Sequence, residues 1–116
     1  MLATFLDEVR QGDLIVPRRL AERLHVRLGH LSRMARVNRN ALSARPESPK
    51  VQERLAEITQ IISRAAELSG DEGRAIIWFR HQPLAGWGKT AEQLVEMGLA
   101  DEVMTHLSRM EAGVYS

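Results

Sequence analysis

The chain has no cysteine. Disulfides and thiolate metal sites are therefore excluded, and a reducing compartment suits it. Aromatic residues are scarce: Phe5, Trp78, Phe79, Trp87 and Tyr115 are all there are. The core must come mainly from Leu, Ile, Val, Ala and Met. No apolar run approaches the roughly 18 residues that span a bilayer. Asp7 and Glu8 interrupt any signal-peptide pattern at the start. β-Branched density is almost absent; only residues 13–16 show any, and Pro17 ends it. These absences predict an all-α, soluble, cytoplasmic protein with no membrane partner.

Catalytic signatures are missing too. His25, His30, His81 and His106 show no i, i+4 pairing and no adjacent acid of the kind a metal site uses. There is no nucleophile elbow and no paired-carboxylate pattern. Gly86-Trp87-Gly88-Lys89-Thr90 sets Gly-Lys-Thr before a helix, but the first glycine of a phosphate loop and its preceding strand are lacking. No catalytic residue, metal or cofactor is expected, and the chain is read as a non-enzyme.

What is present is ordinary in amount and uneven in placement. An apolar share of 44% and a charged share of 27% fit one small globular protein. The net charge of +1 hides a division. Residues 17–54 carry ten Lys/Arg against three acids, whereas residues 55–116 carry five against nine. A basic segment between acidic flanks suits phosphate binding, because Lys and Arg release counterions condensed on DNA. A merely solvated basic face has the same composition.

Helical periodicity with clear punctuation runs through the chain. A first helix is expected from about Leu2 to Arg10, with Phe5, Leu6 and Val9 inward and Gly12 beyond its end. Pro17 opens a second, which turns Leu20, Ala21 and Leu24 inward. Leu28, Leu31 and Ala35 form a stripe that Arg36-Val37-Asn38 breaks; Asn38 then caps a short helix to Ala44. Ser48 and Pro49 start a long helix striped by Val51, Leu55, Ile58, Ile62, Ala65 and Leu68, widened by Ile61 and closed by Gly70. Asp71 caps the helix carrying Ala75, Ile76, Trp78 and Phe79, which Pro83 stops. Thr90 and Gln93 make a capping box, Gly98 ends that helix, and Asp101 is expected to cap the last, with Val103, Leu107 and Met110 inward.

Two short helices around a three-residue turn at 27–45 match a helix-turn-helix. Its second helix would present Arg39, Asn40 and Ser43 to base edges, with Arg45 close by. Arg18, Arg19, Arg33 and Lys50 would hold phosphates and set register. Arg36 stands where such turns usually have glycine. Leu31-Ser32-Arg33-Met34-Ala35-Arg36 through Leu42 resembles the Xre-type helix-turn-helix of phage repressors and antitoxins.

The C-terminal forty residues carry the fuller resemblance. Trp78, the loop Pro83-Leu84-Ala85-Gly86-Trp87-Gly88, Lys89-Thr90, Leu94, Gly98, Val103, Leu107 and the ending Gly113-Val114-Tyr115-Ser116 follow in order. This series resembles the toxin-binding domain of the Xre/MbcA/ParS antitoxins, with Ala91 standing where Pro is common. The resemblance implies an antitoxin of a type II toxin–antitoxin system. Its partners would be a RES-domain toxin that consumes NAD⁺, whose active site the C-terminal region blocks, and the operator DNA of its own operon. The chain is read as a helix-turn-helix lobe over 1–48, a connecting or dimerisation helix over 49–70, and a toxin-binding domain over 71–116; residues 1–16 add nothing to the resemblance. The candidate toxin-binding residues are Trp87, Lys89, Glu111, Gly113, Val114, Tyr115 and Ser116.

Physical reasoning adds to this. Tyr115 offers a large contact area with few rotors to freeze, and Glu111 supplies negative charge suited to a site built for a phosphorylated dinucleotide. Trp87 suits a core plug and a partner contact equally, and Val114 with Tyr115 can also fold back onto the last helix. A homodimer is expected for reading two half-sites, with Ile58, Ile61 and Ile62 as interface residues. A stand-alone DNA-binding regulator and an adaptor that no longer binds DNA are the alternatives.

Overall fold

A computed structural model of the chain describes residues 4–113. Helix accounts for 69% of it, in eight helices, beside one two-stranded sheet; the protein is all-α. The helices are α1 Phe5–Val9, α2 Pro17–Leu24, α3 Leu28–Ala35, α4 Arg39–Ala44, α5 Pro49–Ser69, α6 Glu72–His81, α7 Ala91–Glu96 and α8 Ala100–Glu111. The chain divides into two compact units, Met1–Gln60 and Ile61–Ser116. The division falls inside α5.

In the first unit, Thr4 and Asp7 close a capping box on α1, whose Phe5 and Val9 are buried. Leu2 lies outside the described residues. After α1 the chain makes a small hairpin that the periodicity did not predict. Arg10 pairs with Ile15 and Gln11 with Leu14, around Gly12 at φ 63°. A two-residue Gly-Asp loop with positive φ matches the right-handed twist of the strands it joins. The Gln52 side chain then acts as a surrogate strand edge. Its oxygen accepts from the Ile15 N–H at 2.9 Å, and its amide donates to the Ile15 carbonyl at 2.9 Å and the Pro46 carbonyl at 2.7 Å. One α5 residue thus fixes both the hairpin and the loop that follows α4.

Leu20, Ala21 and Leu24 point inward as their spacing requires, together with Leu31, Met34, Ala35, Leu42, Val51 and Leu55. α2 and α3 end alike. His25 (φ 60°) and Arg36 (φ 55°) adopt the left-handed conformation, and Val26 and Val37 donate back to Ala21 and Ser32 at 3.0 Å. These are Schellman closures, built here without the usual glycine.

In the second unit, Ala75, Ile76, Phe79, Leu94, Val103 and Leu107 are buried. Asp71 caps α6 by accepting from Gly73, and the Thr90–Gln93 box caps α7. Arg80 on α6 meets Glu92 on α7 at 3.2 Å. Three expectations need correction. α8 is capped by Leu99 and begins at Ala100, so Asp101 lies in its first turn, where its charge complements the helix dipole. Met110 and Leu68 are exposed at 39% and 38%, because each lies in the last turn of its helix. Ile58, Ile61 and Ile62 are fully buried within the chain, so they cannot be the face offered to a second copy. No helix among the described residues is long and apolar enough to cross a membrane.

Candidate nucleic-acid and protein interfaces

The candidate nucleic-acid interface is α3, its turn and α4. Arg36 donates to the carbonyls of Ser32 and Arg33, which ends α3 and swings the chain outward. Asn38 then caps α4, its Oδ1 accepting from the Asn40 N–H at 2.7 Å. Leu42 is the anchor of α4, at 1% exposure. With Leu42 inward, Arg39, Asn40 and Ser43 are all solvent-facing, as are Arg33, Arg45 and Lys50. These six expected DNA-contact residues are therefore exposed.

The supports around α4 come from α5. The Arg54 guanidinium donates to the Ala35 carbonyl at 3.4 Å and so covers the end of α3. Arg36 approaches Glu57 at 4.0 Å. The Gln52–Pro46 bond, with Ser48 donating to the Arg45 carbonyl at 3.1 Å, ties the loop bearing Arg45 to the start of α5, where Lys50 stands. Arg18 is exposed, whereas Arg19 donates to the Arg10 carbonyl at 2.7 Å and Arg23 pairs with Glu8. Not every arginine of the basic segment is thus given over to solvent; some hold α2 to the hairpin and α1.

The candidate protein interface is the loop before α7. Pro83 bridges Thr90, Leu84 donates to the Lys89 carbonyl at 2.8 Å, and Trp87 and Gly88 both donate to the Leu84 carbonyl. Gly86 at φ 86° and Gly88 at φ 65° are the reversals this tight loop requires. Its plug is Leu84, at 3% exposure; Trp87 is turned out, at 41%. Lys89 is exposed as well.

Trp87 forms one wall of a cleft of about 350 Å³, with Ala85, Gly86, Glu102, Thr105, His106 and Arg109 as the remainder. Glu102, Thr105, His106 and Arg109 recur at i, i+3, i+4 and i+7 and make one polar face of α8. This face was not among the sequence expectations, although the i, i+3, i+4, i+7 spacing of polar residues was its signal; its pairing with the Trp87 loop had none. Burial, and then the nearby Arg109 charge, lower the His106 pKa below its ordinary value. Both causes disfavour the protonated ring.

Glu111 does not line this cleft. It pairs with Arg64 of α5, which also reaches the Ser108 hydroxyl, so its charge is already engaged within the second unit. Gly113 ends the described chain in the left-handed conformation, φ 80°. Val114, Tyr115 and Ser116 lie outside the described residues. No protein-family model, no curated protein and no solved structure matches this chain.

Proposed function

We propose that the protein is an antitoxin: it binds operator DNA through α3 and α4, and it binds and blocks a RES-domain, NAD⁺-consuming toxin through its C-terminal unit. The observation that carries the reading is α4. Arg39, Asn40 and Ser43 face solvent together on a helix anchored by the buried Leu42. Asn and Arg are the residue types that bond bidentately to adenine and guanine in the major groove.

Support for the second half comes from the C-terminal motif series, its resemblance to the Xre/MbcA/ParS toxin-binding domain, and Trp87, a large aromatic left at the surface of an aromatic-poor protein. Trp and Arg dominate binding hot spots, and the Trp87 cleft offers both.

The test for DNA is fluorescence anisotropy on the chain's own promoter, with wild type and an Arg39→Ala/Arg45→Ala variant compared over a salt series. Salt-dependent binding that the variant loses supports the reading; equal binding by both refutes it. The test for the toxin is co-expression with the product of the adjacent open reading frame, which the proposal expects to be a RES-domain protein, scoring co-purification and inhibition for wild type and for a chain cut after Gly113. Inhibition that survives loss of Val114, Tyr115 and Ser116 refutes the tail's role in blocking.

A further inference from the structure

α4 is six residues long, Arg39–Ala44, and Leu42 is its one buried residue. A helix that short does not hold its own shape, and a single apolar anchor leaves it free to roll. Its C-terminal end is steadied by the loop that follows, and that loop is bonded to Gln52. The Gln52 amide donates one hydrogen to the Pro46 carbonyl at 2.7 Å, next to Arg45, and the other to the Ile15 carbonyl at 2.9 Å. Its oxygen accepts from the Ile15 N–H at 2.9 Å. Both amide hydrogens are therefore spent inside the first unit. The root of the side chain is as firm as its tip, because the Gln52 N–H donates to the Ser48 carbonyl at 3.0 Å in the first turn of α5.

The other end of this connection reaches α2. Ile15 pairs with Arg10 across the hairpin, and the Arg10 carbonyl accepts from the Arg19 guanidinium at 2.7 Å. Hydrogen bonds thus run from α2 through the hairpin and Gln52 to the loop after α4. Arg18 stands beside Arg19 at one end and Arg45 beside Pro46 at the other, and both are exposed. Phosphate contacts set a protein's register on the duplex, and base contacts read sequence only within that register. Slack between α2 and α4 would cost the bidentate geometry of the base contacts while leaving the cations free to meet phosphates.

We propose that Gln52 is a positioning residue for sequence reading. Without touching DNA, it holds the loop after α4 in register with α2, so that Arg39, Asn40 and Ser43 meet base edges together. This role rests on the DNA reading of the proposed function.

Fluorescence anisotropy on the whole chain tests it, with the chain's own promoter duplex and a scrambled duplex of the same length and composition. Gln52→Met keeps the bulk and removes all three bonds. The preference for the promoter should fall by roughly fivefold or more, the loss expected when one bidentate base contact fails. Affinity for the scrambled duplex and its salt slope should stay as in wild type. Helical circular dichroism accompanies each variant. If Gln52→Met loses helix, Gln52→Glu keeps the bond from the Ile15 N–H and gives up both donations; its added charge weakens both duplexes alike, so the preference still reports register. An unchanged preference overturns the proposal. So does an equal loss on both duplexes with a shallower salt slope, which would make Gln52 a phosphate contact. Loss of helix in both variants would make it a folding residue and overturn the proposal too. A wild type that binds both duplexes alike overturns sequence reading, and Gln52's part in it, but leaves DNA binding standing. A wild type that binds neither refutes the DNA reading itself and this role with it.

Discussion

Arg36 and His25 stand at left-handed positions where glycine carries no steric penalty. A side chain there costs on the order of 1 kcal/mol. Arg36→Gly removes that cost, and the ion pair it gives up with Glu57 is partly exposed and worth little. The expected result is a gain of about 0.5–1 kcal/mol by urea denaturation. A loss of stability would mean the Arg36 side chain is part of the fold. Leu84 and Trp87 make a contrasting pair within one loop. Leu84→Ala should cost about 2–4 kcal/mol, whereas Trp87→Ala should change stability by under about 0.5 kcal/mol and instead weaken partner binding. His106 carries a pH prediction. Its folded pKa lies below the ordinary value, so the unfolded chain binds the extra proton first. Stability should therefore fall as pH drops through the ordinary histidine range, near pH 6.5, towards the lower folded value. In His106→Asn that part of the dependence should vanish, as read by denaturation midpoints across pH 5–8.

Helices were legible in the sequence wherever periodicity and caps agreed. Pro17, Asn38, Ser48-Pro49, Asp71 and Thr90 start helices as expected, because each satisfies a first-turn donor or lacks one. The hairpin was missed because Arg10, Gln11 and Leu14 have no strand alternation; Gly12-Asp13 and the brief β-branched density of residues 13–16 were its only signals, and Gln52, 37 residues on from Ile15, holds its edge. The start of α8 was misplaced because Leu99 caps it without a side-chain bond. The display of α4 was readable, since Leu42 alone of its residues is a large apolar side chain. The Trp87 cleft was not, because it joins a loop to a helix face across a long stretch of sequence. For α4 the salt series is decisive. If Arg39 and Arg45 meet DNA, their double alanine variant should bind more weakly. The slope of log affinity against log salt should fall by about 0.9 for each lost phosphate contact. An unchanged slope would place both side chains away from the backbone.

Across the whole chain, charge and architecture divide together. The arginine-dense stretch lies in the first compact unit and the acidic C-terminal stretch largely in the second, with α5 running through both. That division supports a protein with two separate tasks, one directed at polyanionic DNA and one at another protein. The most direct measurement is cellular NAD⁺ and growth when the RES-domain protein that the proposal expects in the adjacent open reading frame is expressed with and without this chain. The proposal predicts NAD⁺ loss and arrest with the RES-domain protein alone, and restoration of both when the chain is co-expressed. Continued NAD⁺ loss in cells that contain the folded chain would contradict it.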